Sequence, residues 1–208
     1  MVPNSWSDIR LESDEFYHIN PECSVCVSYV GKENSPVVII DNLFHHPEKL
    51  VALAAENGGF VFEPEDYYPG LRKPLAANAR SIFEEEIAIL LNQHLHGDKK
   101  QINVSFASFS LTNVPAEQLA PIQCIPHFDT TDMQEFAMVC YLFKQPLGGT
   151  SFYRHRKTGF ETISEMRKAE YMQSLQTQAT TEGLPSAKYI SGDTNLFEQT
   201  HNVPAWYN

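Results

Sequence analysis

Residues 126–152 read PHFDTTDMQEFAMVCYLFKQPLGGTSF, and this stretch carries the clearest fold signal of the chain. Residues 136–143 are apolar throughout and include aromatic and β-branched side chains, which predicts a buried strand. The pair Gly148-Gly149 then leads into a further strand over residues 150–153. The stretch therefore predicts a strand-rich region, and functional side chains are expected there.

The same stretch opens on His127 and Asp129. In an extended segment, side chains two residues apart point to the same side, so these two should project together. An imidazole and a carboxylate on one side supply two of the three ligands in the two-histidine, one-carboxylate arrangement that holds non-haem iron(II). An isolated H-x-D pair is more often a loop histidine beside a surface aspartate, so its weight here comes from the strands that follow.

The remaining elements follow an α+β order. A β-branched run predicts a strand over residues 36–40, and apolar stripes at helical spacing predict helices over residues 47–57 and 81–96. Alternating side chains then predict a strand over residues 102–111. A third helix is expected at about residues 162–181, as an insertion between strands.

Composition limits the class of protein. The 208 residues suffice for one domain, expected over residues 36–208 after an N-terminal arm of residues 1–35. A formal net charge of −11 would repel a phosphate backbone, which argues against a nucleic-acid partner. The chain shows no apolar stretch of the roughly 20 residues that span a bilayer and no signal-peptide features, so we expect a cytoplasmic protein with no membrane partner. The C-x-x-C pair of Cys23 and Cys26 has no matching second pair, so ordinary thiols are expected.

Three motifs together resemble those of a known superfamily. The H-x-D pair, the strand containing Tyr141-Leu142 and the GGTSF sequence of residues 148–152 are similar to the iron(II)/2-oxoglutarate-dependent oxygenases, in particular their prolyl-hydroxylase-like branch. The closer similarity is to bacterial oxygenase-like proteins of unassigned function, which share a segment similar to residues 148–163. The resemblance implies a double-stranded β-helix, the cupin-like jelly roll, with the N-terminal helices packed on it.

The resemblance also implies the cofactors and their ligands. Iron(II) and 2-oxoglutarate are the expected cofactors, with His127 and Asp129 as metal ligands. Tyr141, Thr150 and Arg154 are the expected cofactor-binding residues. The resemblance assigns no residue as a catalytic acid, base or nucleophile.

The chain departs from the superfamily pattern after Asp129. A second histidine is expected on a later strand, followed by an Arg or Lys that pairs with the distal carboxylate of 2-oxoglutarate. His155 follows too early, and His201 lies at a suitable separation but in a segment that reads as a loop, with no arginine after it. We expect the chain to lack a C-terminal piece that carries both residues; His201 as the second histidine, and a degenerate or metal-free site, are the alternatives. Lys144 and Arg154 are candidate substitutes for the missing carboxylate anchor.

The predicted function is that of a dioxygenase that hydroxylates an unidentified small molecule or peptide. Two other functions fit the same residues. One is a non-catalytic cupin-like module that binds a sugar or metabolite, and the other is a metal-dependent isomerase or hydrolase of the cupin type. A homodimer stays open as the oligomeric state.

Overall fold

The computed structural model of the protein describes residues 15–56, 58–95 and 103–208. Predictions for residues 1–14 of the arm, and the predicted element ends at residues 57, 96 and 102, lie outside the described residues. The described ranges contain six β-strands and three α-helices. The strands are β1 (Ser24–Val30), β2 (Ser35–Asp41), β3 (Gly70–Pro74), β4 (Ser108–Thr112), β5 (Gly149–His155) and β6 (Phe197–Pro204), and the helices are α1 (Pro47–Ala55), α2 (Ala77–His94) and α3 (Glu165–Thr181).

Helix α1 forms where its sequence predicts. Pro47 occupies its first turn, where a missing N–H leaves no hydrogen bond unmade. At the other end, Lys73 of β3 satisfies the last carbonyls, because its Nζ donates to the backbone oxygens of Leu53, Ala54 and Glu56 at 3.0, 3.1 and 2.7 Å. The lysine therefore joins β3 to α1.

Helices α2 and α3 differ from their predicted bounds at their first residues. The predicted start of α2, Ser81, lies one turn inside the helix, and its hydroxyl donates to the carbonyl of Ala77 at 3.1 Å. Serine in a helix interior commonly makes this bond to the preceding turn. Helix α3 begins at Glu165, close to the expected start. None of the described helices is long and apolar enough to span a membrane.

The strands pair two by two. Strands β1 and β2, β3 and β4, and β5 and β6 form three separate antiparallel sheets, and within the described residues these sheets are not joined into a barrel. The prediction of a double-stranded β-helix with N-terminal helices packed on it is therefore wrong. A jelly roll needs most strands to be paired on both edges, whereas each strand here has a single partner.

Two strand predictions explain this difference. Residues 136–143 are not assigned to any strand in the described part of the chain, and residues 136–139 are exposed. Conversely, residues 197–204, which read as a loop, form β6. A run of apolar side chains reports a preference for an extended, buried conformation, but it does not determine which backbone will pair with which.

Buried side chains gather in two clusters. The first joins α1 and α2 to the segment after β2, and the second packs α3 against the two-stranded β5–β6 sheet. Phe128 of the H-x-D segment lies against the second cluster, so that cluster positions the candidate site. The buried members are Tyr17, Leu43, Phe44, Leu50 and Ala79 in the first cluster and Ile163, Tyr171 and Phe197 in the second.

Two carboxylates hold the β1–β2 turn to the segment before α3. Glu161 accepts hydrogen bonds from the backbone N–H groups of Lys32 and Glu33, at 3.1 and 3.0 Å. Glu33 in turn accepts from the N–H groups of Glu161 and Thr162, at 3.4 and 3.1 Å. Each acid thus caps the backbone that carries the other, across a sequence separation of 128 residues.

A substitution at Gly31 should test this clamp. Gly31 has φ +70°, and a Cβ atom there would lie 2.1 Å from Oε2 of Glu161. Gly159 is a matched control, with φ +75° and open space around its Cβ position. Both alanine variants incur the cost of a left-handed residue, about 1–2 kcal/mol. Only Gly31→Ala also displaces the carboxylate, which should cost roughly a further 1.5–3 kcal/mol in the free energy of unfolding. Urea denaturation measures the free energy of unfolding of both variants. Equal decreases in the two variants would contradict the proposed role of Glu161 as a clamp.

Candidate functional site

The H-x-D segment lies in a loop that follows a short 3₁₀ helix, Pro121–Cys124. Phe128 at its centre points toward the second cluster, and its ring meets that of Tyr171 edge-on, with centroids 6.0 Å apart and planes at 72°. Such T-shaped pairs are a favoured aromatic arrangement. His127 and Asp129, on either side of Phe128, are exposed to solvent and are therefore directed away from the cluster.

His127 and Asp129 lie side by side on this outer face. Nε2 of His127 is 3.6 Å from Oδ1 of Asp129, and the two side chains are 79% and 66% exposed. The prediction that they share one side agrees with this geometry. The side is open to solvent and is not the interior of a barrel.

His201 is placed elsewhere in the fold. It lies in β6 opposite Phe152 of β5, with ring centroids 6.3 Å apart. Across residues 15–56, 58–95 and 103–208, no three or more His, Cys, Asp or Glu side chains are grouped so as to hold a metal ion. The described residues thus supply two donors and do not complete a three-ligand set, so they do not by themselves fit a facial triad.

Two of the three expected cofactor-binding residues are in contact. The hydroxyl of Tyr141 lies 2.5 Å from Oγ1 of Thr150, at the start of β5. The carbonyl of Tyr141 also accepts a hydrogen bond from the N–H of Asn208 at 2.9 Å. The ring of Tyr141 packs edge-on against Phe143, at 5.7 Å between centroids. The two hydroxyls therefore form a small polar site in an otherwise apolar segment.

Neither candidate carboxylate anchor is an isolated cation. The guanidinium of Arg154 donates to Glu161 through Nε at 2.7 Å and to Glu198 through a terminal nitrogen at 2.8 Å, and its side chain is 12% exposed. The hydrogen bond to Glu161 raises the pKa of Arg154 further above its ordinary value. Lys144 is exposed, with Nζ 4.8 Å from the ring centroid of Tyr207. Arg154 is thus already neutralised by acids of the protein.

Glu161 is held in its charged form. Burial would raise the pKa of Glu161, but the N–H groups of Glu33 and Lys32 and the guanidinium of Arg154 together bring it below the ordinary value. The carboxylate is therefore ionised over the whole neutral range. The same carboxylate binds the backbone of the β1–β2 turn and forms an ion pair with Arg154.

His155 is buried, with 1% of its surface exposed. Nε2 lies 2.7 Å from the amide oxygen of Gln178, which only accepts, so Nε2 is the donor. Nδ1 forms a hydrogen bond with the hydroxyl of Thr158, at 2.9 Å. Both ring nitrogens are occupied, and the ring stands edge-on to Tyr171, 5.2 Å away. His155 is therefore part of the structural core in this structure.

Sequence reasoning missed the contacts that fix the H-x-D loop. Besides the Phe128 contact, the hydroxyl of Thr131 donates to the carboxylate of Glu165 at 2.7 Å. Neither Tyr171 nor Glu165 is close to the motif in sequence, so no local pattern signals them. The helical periodicity of α3 was the available clue, because its inward face had to pack on something.

The cysteines are free thiols. Cys23 and Cys26 lie at the start of the β1–β2 hairpin, and Cys124 is buried. Burial raises the pKa of Cys140 to about 11, so this thiol is protonated and unreactive at neutral pH.

Comparison with known proteins gives one match. A family model described as "Family of unknown function (DUF6445)" matches residues 21–208. No curated protein and no solved structure matches the chain. The match covers every site residue described above, the second cluster, and the buried members of the first cluster except Tyr17.

The lowered pKa of Glu161 predicts how stability depends on pH. A carboxyl whose pKa is lower in the folded state stabilises the fold above its unfolded pKa, about 4.5, and this contribution disappears as the pH falls through the folded value. The free energy of unfolding of Glu161→Gln should therefore fall less than that of the wild type between pH 6 and pH 3. Glu170→Gln, on the exposed face of α3, is the matched control. Parallel pH profiles for wild type and Glu161→Gln, from urea melts, would show that Glu161 is not the linked group.

Proposed function

The chain belongs to the DUF6445 family, and we propose that it is an oxygenase that uses iron(II) and 2-oxoglutarate to hydroxylate a small-molecule or peptide substrate. One observation carries the proposal. His127 and Asp129 present an imidazole nitrogen and a carboxylate oxygen 3.6 Å apart on an accessible face. The similarity of the H-x-D, Tyr-Leu and GGTSF motifs to the oxygenase superfamily supplies the choice of metal and co-substrate.

The distance between the two donors suits a shared ion. Nitrogen and oxygen ligands of a transition metal lie about 2 Å from it, so two donors of one ion can be at most about 4 Å apart. The 3.6 Å between Nε2 of His127 and Oδ1 of Asp129 falls within that limit. Imidazole with carboxylate is also the donor combination typical of non-haem iron(II).

The hydroxyl pair of Tyr141 and Thr150 is the proposed contact for 2-oxoglutarate. One hydroxyl donates to the other, which leaves one hydroxyl hydrogen free to donate to a carboxylate oxygen. Arg154 is not part of this proposal, since Glu161 and Glu198 occupy its donors. The proposal includes a cytoplasmic location, because free thiols persist in reducing compartments.

A binding module without catalysis is the second candidate. Two observations favour it: the described residues do not group a third metal ligand with His127 and Asp129, and Arg154 is neutralised within the protein. Such a module would use the same exposed face to hold a small polar ligand.

Metal binding tests the pair directly. Manganese(II) should bind the protein at one site, and Asp129→Asn should weaken that binding by at least about tenfold because the carboxylate charge is lost. Asp132→Asn is the matched control, an exposed aspartate three positions along the same loop. The EPR signal of free manganese(II) measures the affinity. Equal manganese(II) affinity in the wild type and both variants would show that Asp129 is not a metal ligand.

Co-substrate use separates the two candidate functions. With iron(II) in the absence of oxygen, an oxygenase should give the weak visible band of chelated 2-oxoglutarate, and Asp129→Asn should abolish that band. Admission of oxygen should then consume 2-oxoglutarate and oxygen together. Metal binding without this coupled consumption would favour the binding module.

A further inference from the structure

We infer that helix α3 is the positioning element of the His127–Asp129 pair, acting through Tyr171 on Phe128 and through Glu165 on Thr131. The inference deepens the proposed function, because the pair gains a defined geometry only if its loop is held. It makes Tyr171 and Glu165 positioning residues, since neither touches the donor atoms themselves.

The first tether is Phe128, the residue between the two donors. Its ring packs into the second cluster against Tyr171, which is 5% exposed. Phe128 is packed against the second cluster, whereas the side chains of His127 and Asp129 on either side of it are 79% and 66% exposed. The edge-to-face contact therefore determines which way both donors point.

The second tether lies just beyond Asp129. The hydroxyl of Thr131 donates to the carboxylate of Glu165, the first residue of α3, at 2.7 Å. Glu165 and Tyr171 are six residues apart, which is about 9 Å along a helix axis. Asp129 is thus bracketed by two contacts that both come from one rigid element.

Helix α3 is itself fixed by contacts with His155. This imidazole is hydrogen-bonded to Gln178 of α3 at 2.7 Å and stands 5.2 Å from the ring of Tyr171. It therefore holds the helix at two positions, two turns apart. Burial also raises the pKa of Tyr171 to about 12, which agrees with a neutral phenol packed in the core. His155 thus supports the pair and is not available as its third ligand.

The experiment compares three substitutions in the same cluster of the full chain. Tyr171→Leu removes the ring that meets Phe128, and Tyr171→Phe retains it. Tyr153→Leu removes another ring of the same cluster, one that meets Phe197 at 6.5 Å. Two quantities are measured: manganese(II) affinity, and the mobility of the backbone amides of residues 127–131 by ¹⁵N relaxation without metal.

Tyr171→Leu should increase the mobility of residues 127–131 and weaken manganese(II) binding by about tenfold or more, the usual effect of losing a residue that orients a ligand. Tyr171→Phe and Tyr153→Leu should leave both near wild type. If Tyr171→Leu does not fold, Thr131→Val, which removes a single exposed hydrogen bond, should raise the mobility of the same amides.

The outcomes separate this inference from the proposed function. If the wild type binds no manganese(II) but Tyr171→Leu or Thr131→Val still loosens residues 127–131, the positioning role holds and the metal site fails. If neither variant loosens these amides, or if Tyr153→Leu loosens them equally, the positioning role is overturned whatever the metal affinity.

Discussion

The packing of α3 on the two-stranded β5–β6 sheet determines the geometry around the H-x-D segment. At its centre is the imidazole of His155, whose two nitrogens are satisfied by Thr158 and Gln178. A buried polar ring is tolerated because both partners are present; without them its desolvation would oppose folding. The hydrogen bonds are directional, so they select one placement of α3 where apolar packing alone would accept several. The position of α3 in turn determines the position of Tyr171, and Tyr171 determines that of Phe128.

The rest of the molecule is joined in a similar way, by polar groups rather than by a continuous sheet. A two-stranded sheet is marginally stable alone, and the described residues contain three of them. Charged side chains make the connections: Glu33 with Glu161 between a turn and a loop, and Lys73 between a strand and a helix end. Most of these bonds go to backbone groups, which lie at fixed positions and lose little freedom when bound. Such bonds can hold short elements together where apolar area is limited.

The sequence predicted individual helices and strands better than it predicted which strands pair with each other. Helix α1, helix α3 and strand β2 follow from residues within one segment, through apolar spacing and Pro47. The jelly roll depended on partners for residues 136–143 that no local pattern specifies. At the site, the closeness of the His127 and Asp129 side chains involves only three consecutive residues, so the sequence could predict it. Their direction, toward solvent, depends on Tyr171 in another element, and that contact has no signal in the sequence around the motif.

Residues 136–143, which are not assigned to a strand, also affect the self-association of the protein. Phe136 and Val139 are 58% and 61% exposed, and the segment contains no proline. An apolar window of this kind favours β-pairing between chains. Glu135 and Lys144 stand at its two ends as gatekeepers, and the net charge of −11 keeps whole molecules apart. Because salt screens that repulsion over a length of about 10 Å at 0.1 M, ionic strength controls the colloidal behaviour of the protein.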